Sequence, residues 1–91
     1  MSKESIVIEA RDPQGERVAR AVAEMCWQLG LGVLRVHGDK VGMATAYFET
    51  ADECGFAKES VEALFGDMFQ VLEHPHVSKC GLTVRIRPES V

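Results

Sequence analysis

The chain has 91 residues, 46% of them hydrophobic and 26% charged, with a formal net charge of −4. That length suits one domain rather than two, and that composition excludes a disordered tail or a collagen-like polymer. The basic residues are scattered rather than striped, no apolar run reaches membrane-spanning length and no apolar leader follows Met1, so a soluble cytoplasmic protein without nucleic-acid or membrane partners is expected.

Ser5 to Arg11 alternates, with Ile6, Ile8 and Ala10 on one side and Val7, Glu9 and Arg11 on the other, which is the period of a half-buried strand. Asp12-Pro13-Gln14-Gly15 then opens a helix, because the Asp12 carboxylate can accept from an unpaired backbone N–H and proline suits the first helical position. Val18, Ala21, Val22, Met25 and Leu29 form its apolar stripe, and Gly30 is placed to end it in the left-handed conformation.

Val33 to His37 reads as a second strand, Gly38-Asp39-Lys40 as a tight turn and Val41 to Glu49 as a third strand, the last two runs forming a hairpin. The third strand places Ala44, Ala46 and Phe48 on one face and Val41, Met43, Thr45 and Tyr47 on the other. From Thr50 to Phe56 two readings stay open, since Thr50 and Glu53 have capping-box spacing while Gly55 weakens a helix begun there. A second helix is expected from Ala57, with Val61, Leu64, Phe65, Met68 and Leu72 as its stripe and Pro75 as its terminator. Cys80, Leu82, Val84 and Ile86 alternate with Gly81, Thr83, Arg85 and Arg87 as the last strand.

The order strand, helix, strand, strand, helix, strand predicts an α+β fold. Its expected form is a ferredoxin-like βαββαβ two-layer sandwich, a single domain over residues 1–91. Strands one and three stand at the centre of a four-stranded antiparallel sheet with both helices on one face. In such a sandwich Val7, Val33, Met43 and Tyr47 lie on the helix-free surface, where apolar side chains need cover. A domain this small also has a thin core. Sheet-to-sheet self-association, as a homodimer or tetramer, is therefore expected.

Residues for catalysis are sparse. Cys26, Cys54 and Cys80 are odd in number and widely spaced, which fits reduced thiols rather than a disulfide framework. Cys26 and Cys80 fall on or beside apolar stripes, and Cys54 in a loop. His37, His74 and His76 show no metal-ligand spacing, and Gly38-Asp39-Lys40 lacks the glycine spacing of a phosphate loop. Neither a catalytic set, a metal nor a cofactor is expected. Trp27 is expected at a core edge or an interface.

Three stretches resemble a known family. Asp12-Pro13-Gln14-Gly15 followed by Val18 and Ala21 is similar to the Asp-Pro-Gln-Gly helix opening of the PurS family, the small subunit of phosphoribosylformylglycinamidine (FGAM) synthase. Val33-Leu34-Arg35-Val36-His37-Gly38-Asp39-Lys40 looks like that family's Val-Arg-Val-Gly-Lys hairpin, and Val71-Leu72-Glu73-His74-Pro75-His76-Val77 like its Leu-Leu-Ala-Asn-Pro-Val-Ile helix exit. The resemblance implies a non-catalytic subunit of purine biosynthesis that bridges an ATP-dependent synthetase and a glutaminase and assists ammonia transfer. It makes Asp12, Pro13, Gln14, Gly15, Arg35, Gly38, Lys40, His74, Pro75 and Val77 candidate partner contacts. An alternative with the same element order is an ACT-like regulatory domain that binds a small metabolite at a dimer interface. An acylphosphatase-like hydrolase is disfavoured, because its basic phosphate cradle would fall on the acidic Asp12 loop.

Overall fold

The computed structural model describes residues 5–39, 42–72 and 80–87. Over these residues it is an α+β fold with two helices and a five-stranded mixed sheet. The elements are β1 (Val7–Ala10), α1 (Pro13–Gln28), β2 (Val33–Gly38), β3 (Met43–Phe48), α2 (Ala51–Phe65), β4 (Phe69–Leu72) and β5 (Gly81–Ile86). None of the helices is long and apolar enough to cross a membrane among the described residues.

Helix α1 begins and ends by the chemistry its flanks carry. Asp12 is extended at the N-cap and its Oδ1 accepts from the Gly15 N–H at 2.9 Å. At the far end Gly30 has φ +71°, the Leu31 N–H donates to the Cys26 carbonyl at 2.9 Å, and the Gly30 N–H donates to Trp27 at 3.1 Å. These two bonds are the Schellman pattern that closes a helix and turns the chain back. Helix α2 starts six residues before Ala57: Thr50 Oγ1 accepts from the Glu53 N–H at 3.1 Å and lies 3.2 Å from Glu53 Oε1. The Thr50 side-chain cap therefore prevails over Gly55, whose helical cost of about 1 kcal/mol is matched by a cap of similar worth. Replacing Thr50 by Ala should lower stability by about 1 kcal/mol, read as a urea midpoint shift at unchanged slope.

The sheet departs from the expected one. Its order is β1-β2-β3-β5-β4, with β1 parallel to β2 and the remaining neighbours antiparallel. The α1 crossover lays β2 directly beside β1, leaving no gap for the third strand, so β1 is an edge and β3 is central. The fifth strand arises because α2 stops at Phe65, before Gly66, rather than near Pro75. Phe69–Leu72 then pairs with β5, and Leu72, expected on a helix, sits opposite Thr83. Met68 and Leu64, expected in the helical stripe, are 53% and 68% exposed.

One apolar cluster lies between the helices and one face of the sheet. It joins Val18, Val22, Ala23 and Cys26 of α1 and Ala57 and Val61 of α2 to Val36, Ala46 and Val84 of the sheet. Ala21 of the expected α1 stripe is exposed, and Ala19 and Ala23 take its place. Among the described residues the opposite sheet face carries no helix.

Candidate functional site

Strand alternation and register build the helix-free face. Glu9, His37, Thr45, Thr83 and Leu72 are cross-strand neighbours in one row over all five strands. Val7, Arg35, Tyr47 and Gly81 form a second row, and Met43, Arg85 and Gln70 a third. Side chains in such rows stand about 4.5 to 5.5 Å apart at Cβ and interact directly.

The contacts follow the rows. The Arg35 guanidinium carbon stands 4.4 Å over the Tyr47 ring centre, while its Nη1 donates to Glu9 Oε1 at 3.2 Å. Stacking of this kind contributes about 0.5 to 1 kcal/mol at exposed sites, and the exposed ion pair about as little. Thr45 and Thr83 share a hydroxyl hydrogen bond of 2.9 Å, and Arg85 Nη2 donates to Gln70 Oε1 at 2.7 Å. Thr83 is buried, whereas Val7 is 53% exposed and Met43, Tyr47 and Leu72 are half-buried.

Three of the four expected interface residues, Val7, Met43 and Tyr47, share this face. Val33 does not. A bulge at Leu34, between the Val33 and Arg35 pairings, shifts the alternation by one residue. Val33 is turned into the core at 1% exposure, and Leu34 is left 44% exposed. The face is accordingly more polar than the sequence pattern implied, with a threonine pair at its centre.

The candidate partner contacts are dispersed. Arg35 belongs to the open face. Asp12 caps α1, Pro13 and Gln14 are exposed in its first turn, and Gly15 and Gly38 touch each other inside the molecule. A Cβ on Gly15 would stand 2.8 Å from the Gly38 carbonyl oxygen, and one on Gly38 would collide with the Gly15 carbonyl oxygen. These two glycines serve the seating of α1 on β2. Lys40, His74, Pro75 and Val77 lie outside the described residues, as does His76.

No protein-family model, curated protein or solved structure matches the chain.

The thiols form no catalytic set: Cys26 stands apart from Cys54 and Cys80, which neighbour each other. Cys26 is buried in α1, and that burial pushes its pKa up to about 12. Cys54 is buried in the first turns of α2 rather than in a loop. Its pKa is raised by burial first and by nearby Cys80 second, with Lys58 acting against both. Cys80 is half-buried and its Sγ donates to the Glu49 carbonyl at 3.7 Å. The raised pKa values of Cys26 and Cys54 leave those two little thiolate for nucleophilic attack. Among the described residues no group of three or more His, Cys, Asp or Glu side chains is placed to hold a metal. Trp27 is 45% exposed on α1.

Sequence reasoning missed a second surface. Phe56, 62% exposed, and Leu64 lie on the outer side of α2 with Ala63 and Ser60 at helical spacing. Their signal was present in the 4, 3, 1 spacing, but it competed with the Val61 and Phe65 stripe that does enter the core.

Proposed function

We propose that the protein works by binding other polypeptide chains through the helix-free face of its sheet, as a subunit with no catalytic centre of its own. The observation that carries this reading is the row Val7, Arg35, Tyr47: an exposed aliphatic group, a stacked guanidinium and an aromatic ring side by side on a sheet face that no helix covers among the described residues. Aromatic and arginine side chains are the residues that most often anchor interfaces. A sheet face of this kind combines apolar area with directional polar groups, so it can both drive association and fix orientation.

The narrower reading is a small subunit of FGAM synthase in purine biosynthesis. Its support is the ordered resemblance at Asp12 to Gly15, Val33 to Lys40 and Val71 to Val77. A tagged chain that recovers a synthetase and a glutaminase from cell extract supports it; recovery of neither removes it.

The wider reading has its own test. Light scattering of the purified chain should give a multiple of the 10.0 kDa monomer mass. Val7→Lys combined with Tyr47→Lys should lower that mass to the monomer while leaving the circular dichroism spectrum unchanged. An unchanged mass in the folded double variant rules the face out.

A further inference from the structure

Charge is divided unevenly over the molecule. Glu49, Asp52, Glu53, Glu59, Glu62 and Asp67 fall between residues 49 and 67, where Lys58 is the single basic residue. Asp52, Glu59 and Glu62 are exposed on α2 and flank the outward Phe56 and Ala63. The helix-free sheet face has the opposite balance. Its strand residues include Arg35 and Arg85 against Glu9, with His37 between them, in a chain whose formal charge is −4.

We infer that the occupant of the sheet face is the outer side of α2 from a second copy of this chain. The inference rests on the reading of that face as a binding surface. Apolar groups would meet apolar groups, with Phe56 and Leu64 entering among Val7, Met43, Tyr47 and Leu72. Acidic Asp52, Glu59 and Glu62 would meet Arg35 and Arg85. Face-to-face pairing of two sheets brings Arg35 and Arg85 toward their own copies and leaves Phe56 and Leu64 exposed, so it satisfies neither charge nor apolar area. The sizes also agree. A 15-residue helix is about 22 Å long at about 1.5 Å per residue, and five strands spaced about 4.8 Å apart span about 19 Å.

The two surfaces lie on opposite sides of the two-layer sandwich, so one pair of copies cannot engage both. The contact is head-to-tail, and each copy offers a free end until a ring closes or a filament grows. Its charged component is weakened by salt.

The experiment uses two full-length variants whose changes point to solvent. One carries Phe56→Lys with Leu64→Lys, the other Arg35→Glu with Arg85→Glu, and circular dichroism checks each fold. Wild-type chain should give species above dimer mass that shrink as salt is raised. Each variant alone should be monomeric, and an equimolar mixture should give a species of twice the 10.0 kDa monomer mass, because one intact sheet face meets one intact α2. If the α2 variant keeps the wild-type mass while Val7→Lys with Tyr47→Lys dissociates the chain, this inference is overturned and the sheet-face reading stands. If the mixture stays monomeric, or the wild type is monomeric throughout, the head-to-tail contact does not exist.

Discussion

Replacing Gly38 by Ala should cost about 3 kcal/mol or more, a large part of the roughly 5 to 15 kcal/mol that stabilises a domain of this kind. Gly38 ends β2, paired with Ala10 on one side and Ala44 on the other, so the sheet holds its backbone from both directions. Its missing side chain points at the first turns of α1. A methyl group there meets the Gly15 carbonyl oxygen and stands 2.9 Å from the Ala19 Cβ. Neither neighbour can rotate away, because one is helix backbone and the other has no χ angle. The remaining relief is to lift α1, which would open the cluster around Val18, Val22 and Val36. Urea unfolding of Gly38→Ala should show a much lower midpoint, and Gly15→Ala should resemble it because the same approach is blocked from the other side. Gly55→Ala is the control: nothing lies within 4 Å of a Cβ there, so the helix should gain up to about 1 kcal/mol. If Gly38→Ala and Gly55→Ala differ by less than about 1 kcal/mol, the close approach does not limit stability.

That contact also explains part of the family resemblance. Gly15 and Gly38 sit in two of the three stretches similar to PurS, and both are needed where a helix starts directly against a strand end. A shared Asp-Pro-Gln-Gly opening is therefore accounted for by an N-cap and a close approach, with or without a common partner.

Elements with strong local signals were readable from the sequence. The Asp12 cap and Gly30 termination bound α1, and alternation placed Ile8, Ala44, Ala46, Leu82 and Val84 on the core side and Val7, Met43, Tyr47 and Arg85 on the other. What failed depended on long-range pairing. Strict alternation put Val33 outside, because a bulge is invisible until β3 supplies the partner residues Phe48 and Tyr47. Phe69–Leu72 looked helical, since four residues that continue an apolar spacing do not distinguish a strand from a last helical turn. Only pairing with β5 decides it. Strand order was underdetermined for the same reason: the ferredoxin-like arrangement and the observed one share their first elements and differ in whether β2 lies next to β1. The open face was legible as an alternation, and its polar centre was not, because the Thr45 and Thr83 hydrogen bond joins residues 38 apart in the chain.

The second large effect is a loss of stability in alkali that traces to one thiol. Cys26 is fully buried among the α1 core residues, and its pKa is pushed up to about 12 from an ordinary 9.0 by that burial. Below pH 9 the thiol is protonated in both folded and unfolded chains, so it contributes no pH dependence. Between pH 9 and 12 the unfolded chain releases the proton and the folded chain keeps it. The unfolded state then binds fewer protons, and stability falls as pH rises, by up to about 1.4 kcal/mol per pH unit and about 4 kcal/mol in all. Cys26→Ala separates this from the titration of other groups. At pH 7 the variant should be less stable by about 1 kcal/mol, because a buried heavy atom is lost and a small cavity remains. It lacks the linked proton, so the gap should close above pH 9 and reverse before pH 12. Every other side chain is the same in both backgrounds, so its contribution cancels in the difference. Parallel stability curves from pH 7 to pH 12 would show that the thiol reaches solvent without unfolding. The same burial that keeps Cys26 inert is then tested apart from any partner, because proton linkage reads the interior of α1 and leaves the sheet face untouched.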